Sequence, residues 1–198
     1  MRFIILILII VCTAPLTAQE KKELGTSKHK LGFSFGIGRN NGLDFANINI
    51  DRDYEVFLLQ FQYHRTLIGR KHWGAELVGQ PQLNFGSFQA LENFNISTRS
   101  IEAGINVGLL LRLNLFHDYF SIYGLIGSGP HFITRTPDRQ ASGFIFSDNF
   151  FMGVNLRISN NLFLDIRSGK RHASNLDFDF PNGGINTFII YFGIIKSL

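Results

Sequence analysis

Residues 101–112 read Ile-Glu-Ala-Gly-Ile-Asn-Val-Gly-Leu-Leu-Leu-Arg, "IEAGINVGLLLR". Ile101, Ala103, Ile105, Val107, Leu109 and Leu111 keep one parity, while Glu102, Gly104, Asn106, Gly108 and Arg112 keep the other. Successive side chains of a strand point to opposite faces, so this period of two predicts a long strand with one apolar and one polar face.

The same alternation recurs along the chain. Leu31, Phe33, Phe35 and Ile37 oppose Gly32, Ser34, Gly36 and Gly38, and Phe57, Leu59, Phe61 and Tyr63 oppose Leu58, Gln60, Gln62 and His64. Trp73, Ala75, Leu77, Gly79 and Leu83 form a third apolar set. Further strands are predicted at 119–133, 143–158, 162–172 and 186–198, where Phe188, Ile190, Phe192 and Ile194 carry the pattern towards the C-terminus. With 101–112 this predicts eight strands. Their connections alternate: 39–53, 85–97, 134–142 and 173–184 are long and polar, whereas 67–71, 114–118 and 159–161 are short. Long loops at one end and tight turns at the other predict an all-β, eight-stranded antiparallel up-and-down transmembrane β-barrel. The soluble rival is a lipocalin-like barrel, which would bury the apolar face. Alternation alone does not say which face points outward.

A length of 198 residues with 21 Phe, 20 Gly and only 5 Pro fits one such barrel. Met1-Arg2, the apolar run Phe3–Val11 and the small residues up to Ala18 read as a secretory signal peptide. We expect cleavage after Ala18, leaving residues 19–198 as the barrel domain in the outer membrane of a Gram-negative bacterium. A lipoprotein signal using Cys12 is disfavoured by Ile9-Ile10-Val11 before it. With Cys12 removed, the mature chain has no thiol for a disulfide, a nucleophile or a metal. The formal charge of +4, falling by one without Arg2, is too mild to imply nucleic acid.

Residues 171–175, Arg-His-Ala-Ser-Asn, end the seventh predicted strand. Leu162, Leu164 and Ile166 set its apolar parity as even, so His172 and Ser174 also emerge on the lipid side, at the extracellular end. Asn186 shares the even parity of Phe188 to Ile194 on the following strand. A serine, a histidine and a carboxamide across one hairpin form a workable hydrolytic triad: His takes the Ser proton and the amide fixes the ring. A polar pair on a lipid face is costly unless it works there or sits in the aqueous interface.

"RHASN", followed by Pro181-Asn-Gly-Gly-Ile-Asn186 and a last apolar strand, resembles the lipid A 3-O-deacylase (PagL-type) family of outer-membrane barrels. The resemblance implies a serine esterase, embedded in the membrane, that hydrolyses an ester-linked acyl chain of lipopolysaccharide in the outer leaflet, without a cofactor. It implies His172 as base and Ser174 as nucleophile, with Asn175 and Asn182 around the oxyanion. The family's better-known members carry Glu where this chain has Asn186, and an Asn orients an imidazole without lending it charge. Outer-membrane phospholipases use a Ser-His-Asn set, so phospholipase action with the same residues stays open. So does a non-enzymatic structural or adhesive barrel, in which this is only a polar rim. Asp177 and Asp179 are loop candidates for the missing acid. The oligomeric state, the acyl position and any latency of the enzyme are not legible in the sequence.

Elsewhere, His64 and His72 read as solvated turn residues beside Arg65, Arg70 and Lys71 rather than metal ligands. Glu76 and Glu102 read as interior ion-pair partners of Arg112, Arg157 or Arg167, and Gly36, Gly38, Gly127 and Gly129 as space-makers in a narrow lumen. Lys170, Arg135 and Arg139 are cations near the upper membrane surface.

Overall fold

The computed structural model describes residues 27–40, 54–90, 93–116 and 119–198. The expected signal peptide, Cys12 and most of the first long loop lie outside these residues. Nine strand segments follow one another: β1 (His29–Arg39), β2 (Glu55–Gly69), β3 (Trp73–Ala90), β4 (Asn93–Leu115), β5 (Phe120–Ser128), β6 (Pro130–Ile133), β7 (Gly143–Arg157), β8 (Leu162–Ser174) and β9 (Ile185–Ser197). Each pairs antiparallel with its chain neighbours, except that β5 and β6 share the gap between β4 and β7. β9 returns to β1, which closes the ring and leaves no sheet edge.

The ninth segment arises because the predicted strand 119–133 breaks at Gly129. A Cβ at Gly129 would run into the carbonyl oxygen of Ile105, so the close backbone approach there requires glycine. A second difference lies at residues 85–97, expected as a loop. Pairing continues from Phe85↔Ile101 out to Ala90↔Asn93, since strands need no apolar side chains once they leave the hydrocarbon.

The parity rule sets the barrel's orientation. Leu31, Phe61, Ile101, Leu111, Phe150 and Met152 stand at least half exposed on the outer wall, while Lys30, Glu76, Arg112, Asp165, Arg167 and Arg171 are buried in the lumen. A lipocalin would reverse this arrangement.

Charge pairing fills the interior. Glu76 accepts hydrogen bonds from Lys30 Nζ at 2.5 Å and Arg112 Nε at 3.0 Å, and pairs with His64 Nδ1 at 2.9 Å. Asp165 accepts from Tyr123 at 2.5 Å, Asn155 at 2.7 Å and Arg167 at 3.1 Å. Glu102 bridges Arg171, His131 at 2.6 Å and Asn84 at 3.0 Å. The expected pairing of Glu76 with Arg112 is present, but Glu102 takes Arg171. His64 corrects the expectation of a solvated turn residue. β2 runs on to Gly69, which leaves His64 inside the barrel and 1% exposed. Gly36 makes the room expected of it, for a Cβ there would sit 2.6 Å from the Tyr191 ring.

The tight turns and both described chain ends share one rim, where Leu198 N donates to His29 O at 3.0 Å. The upper ends of β7, β8 and β9 and the loops beyond them stand at the other rim.

Candidate active site

Antiparallel register aligns outward-facing side chains of neighbouring strands into horizontal rows. At the top of the wall, Asp148 of β7 pairs with His172 of β8, which pairs with Asn186 of β9. Ser128 ends β5 beside them, and its hydroxyl donates to Asp148 Oδ1 at 2.5 Å. The row directly below is Ile126, Phe150, Lys170 and Phe188. Together they line an open groove of about 800 Å³ on the outer wall. Polar groups thus crown an apolar surface.

His172 Nδ1 lies 2.8 Å from Asn186 Oδ1. Because that oxygen only accepts, Nδ1 carries a proton, and in the neutral ring the lone pair is then on Nε2. This is the tautomer a general base needs. Ser174, the last residue of β8, has the same parity as His172 and is 7% exposed. Among the described residues no hydrogen bond joins Ser174 to His172. Such contacts often tighten only when substrate is bound.

The loop after β8 is held by its own polar side chains. Leu176 and Asp177 adopt φ of 54° and 63°, a left-handed pair that favours glycine. Hydrogen bonds compensate: Asn175 N donates to Asn182 Oδ1 at 3.0 Å, Asn175 Nδ2 to Asp179 O at 2.7 Å, and Asn182 Nδ2 to Asp177 Oδ1 at 2.7 Å. Asn175 and Asn182 therefore come together as one unit beside Ser174. Each carboxamide spends one N–H on the loop and keeps a second. Asp177 Oδ1 accepts from Asn182, and Asp179 Oδ1 from Phe180 N at 2.8 Å; among the described residues neither carboxylate bonds His172.

A second loop, 134–142, clasps the first. Ala141 N donates to Pro181 O at 2.6 Å, Gly183 N to Arg139 O at 2.7 Å, and the Arg139 guanidinium to Gly183 O. Buried Gln140 is the keystone: it bridges to Asn182, and its Oε1 accepts from Gly184 N at 2.9 Å. Gly184 has φ of +66°, and a Cβ there would lie 2.5 Å from His172 Cε1. Glycine thus seats the imidazole, and Gln140 holds the glycine.

Gln140, Ser128 and Asp148 escape a reading of the sequence confined to the hairpin 162–198, and Gly184 lies within that hairpin but carries no signal of its contact with His172. For Ser128 and Asp148 the signal was present. Both continue the even parity of Ile126 and Phe150, so a hydroxyl and a carboxylate on lipid-facing positions were countable.

No curated protein matches the chain. Among solved structures, the outer membrane enzyme PagL is similar at 14% identity and a TM-score of 0.54, covering 82% of this chain and 97% of that one. Neisserial surface protein A is similar in fold at 8% identity and a TM-score of 0.52, covering 87% and 98% respectively. Residues 56–194 match the family described as "Lipid A 3-O-deacylase (PagL)". That span runs from β2 into β9 and takes in the whole polar row, so the chain belongs to the lipid A 3-O-deacylase (PagL) family and sits in the Gram-negative outer membrane as a β-barrel.

Proposed function

We propose that this barrel is a serine esterase that hydrolyses an ester-linked acyl chain of lipid A from the outer leaflet. The observation that carries the reading is the His172–Asn186 hydrogen bond, which sets a base tautomer on the outer wall directly above an apolar groove. An acyl chain lying against Phe150 and Phe188 brings its ester to the height of His172 and Ser174 without leaving the membrane.

Ser174 Oγ attacks the ester carbonyl carbon as its proton passes to His172 Nε2. The second N–H groups of Asn175 and Asn182 take up the charge developing on the carbonyl oxygen. The bond between the acyl carbon and the sugar oxygen then breaks, and His172 returns the proton to that departing oxygen. Water, deprotonated by the same imidazole, attacks the acyl-serine and frees the fatty acid.

Mass spectrometry of lipid A from cells expressing the wild-type chain or Ser174→Ala tests this. Loss of one ester-linked acyl chain with the wild type alone supports the reading. Identical acylation patterns overturn it, in favour of a non-enzymatic rim. Release of fatty acid from phospholipid instead would reassign the substrate to phospholipase chemistry.

A further inference from the structure

His172 has two cross-strand neighbours on its face, and they differ in charge. From β9 it meets Asn186, a neutral amide that accepts its Nδ1–H at 2.8 Å. From β7, the strand on the other side of β8, it is paired with Asp148, an exposed carboxylate. Its own strand adds Lys170 below and Ser174 above, and the backbone of Gly184 closes against the ring from the loop. A base that takes a proton from serine becomes an imidazolium. Nothing on the β9 side carries the charge to balance it.

Asp148 has the right placement for that task. Directly opposite residues of antiparallel strands hold their Cβ atoms about 5 Å apart, close enough for strong charge interaction in a poorly screened membrane surface. One carboxylate oxygen is steadied by the Ser128 hydroxyl at 2.5 Å, and the other has no hydrogen bond among the described residues. A carboxylate facing lipid above Phe150 contributes nothing to the lumen's ion pairs, where Glu76, Glu102 and Asp165 already meet their partners.

We propose that Asp148 is a positioning residue that supplies the negative charge for His172, dividing between two strands the work that a single acidic residue at position 186 would do. Asn186 fixes the ring, Asp148 balances its charge, and Ser128 aims Asp148. The inference rests on the reading of Ser174 and His172 as nucleophile and base.

The test uses the purified full chain in micelles containing lipid A, comparing wild type, Asp148→Asn, Asp148→Glu and the double variant Asp148→Asn with Asn186→Glu. Two readouts are followed: kcat and KM for acyl release, and the rate at which a fluorophosphonate probe labels Ser174. Heat-modifiable migration confirms that each barrel is folded. Asp148→Asn keeps shape and hydrogen bonding but removes charge, so kcat and labelling fall together by about 10- to 100-fold with KM unchanged. Asp148→Glu stays within a few-fold of wild type, and Asn186→Glu restores the double variant. An Asp148→Asn enzyme within twofold of wild type in both readouts overturns the inference. So does a folded double variant that recovers nothing. If the wild type labels at Ser174, and more slowly in Asp148→Asn, yet releases no acyl chain from lipid A, the substrate reading fails and the role of Asp148 stands. If the wild type does not label at all, Ser174 is no nucleophile and both fall.

Discussion

The lumen and the upper outer wall of this barrel both hold titratable side chains, and they differ in what those side chains meet. Inside, Glu76 touches Lys30, His64 and Arg112, and Asp165 touches Tyr123, Asn155 and Arg167. These groups are buried and cross-linked, and their role is to hold strands together. Outside, Asp148, His172 and Asn186 face lipid in one row, with an imidazole nitrogen left open. Burial and dense pairing mark the scaffold here, and a sparse polar row on an apolar wall marks the candidate site.

The sharpest way to break this comparison is to exchange the consequences of the two regions. Ser174→Ala or His172→Ala is expected to lower acyl release by at least about a thousandfold, with unfolding in denaturant unchanged. Glu76→Ala should do the opposite. Leaving Lys30 and Arg112 without their carboxylate costs about 3–5 kcal/mol, read as a lower unfolding midpoint, while folded molecules keep their activity. A drop in kcat per folded Glu76→Ala barrel would show that the lumen takes part in the chemistry.

Smaller effects sharpen the boundary between site and support. Gly184→Ala forces a Cβ against the His172 ring at a left-handed φ, so kcat should fall by about 100-fold, measured as acyl release per folded barrel. Gln140→Leu removes the acceptor of Gly184 N–H and should lower kcat about tenfold, whereas Gln140→Glu keeps an acceptor and most of the activity. At the bottom of the scale, Met152→Leu on the outer wall below the row should change stability by less than about 1.5 kcal/mol and leave kcat alone.

Much of this was legible along the chain because a strand's side-chain period is a whole number. Ile101 to Arg112 declared two faces, and carrying even parity from Leu162 to His172 located a histidine on the lipid side. The same count, taken two residues back from Phe150, reaches Asp148. That carboxylate was overlooked because the hairpin 162–198 already held a serine, a histidine and an amide. His64 was misplaced because nothing in "YHRTLIG" marks where β2 ends, and the ladder to β3 carries it past the expected turn. Gly129 looked like one more space-maker, yet it is where the fifth strand breaks against Ile105.

What the sequence determined by itself is local and periodic: which residues lie in strands, which share a face, and which rim carries the long loops. Those follow from backbone geometry within each segment. Which charges pair in the lumen, which loop clasps which, and that Gly184 seats His172 while Gln140 seats Gly184, were decided only by tertiary structure. These contacts depend on ring closure and on the register between strands, which bring residues 128, 140, 148, 172 and 184 to one corner of the barrel. No periodicity in a single strand encodes the stagger of its neighbours.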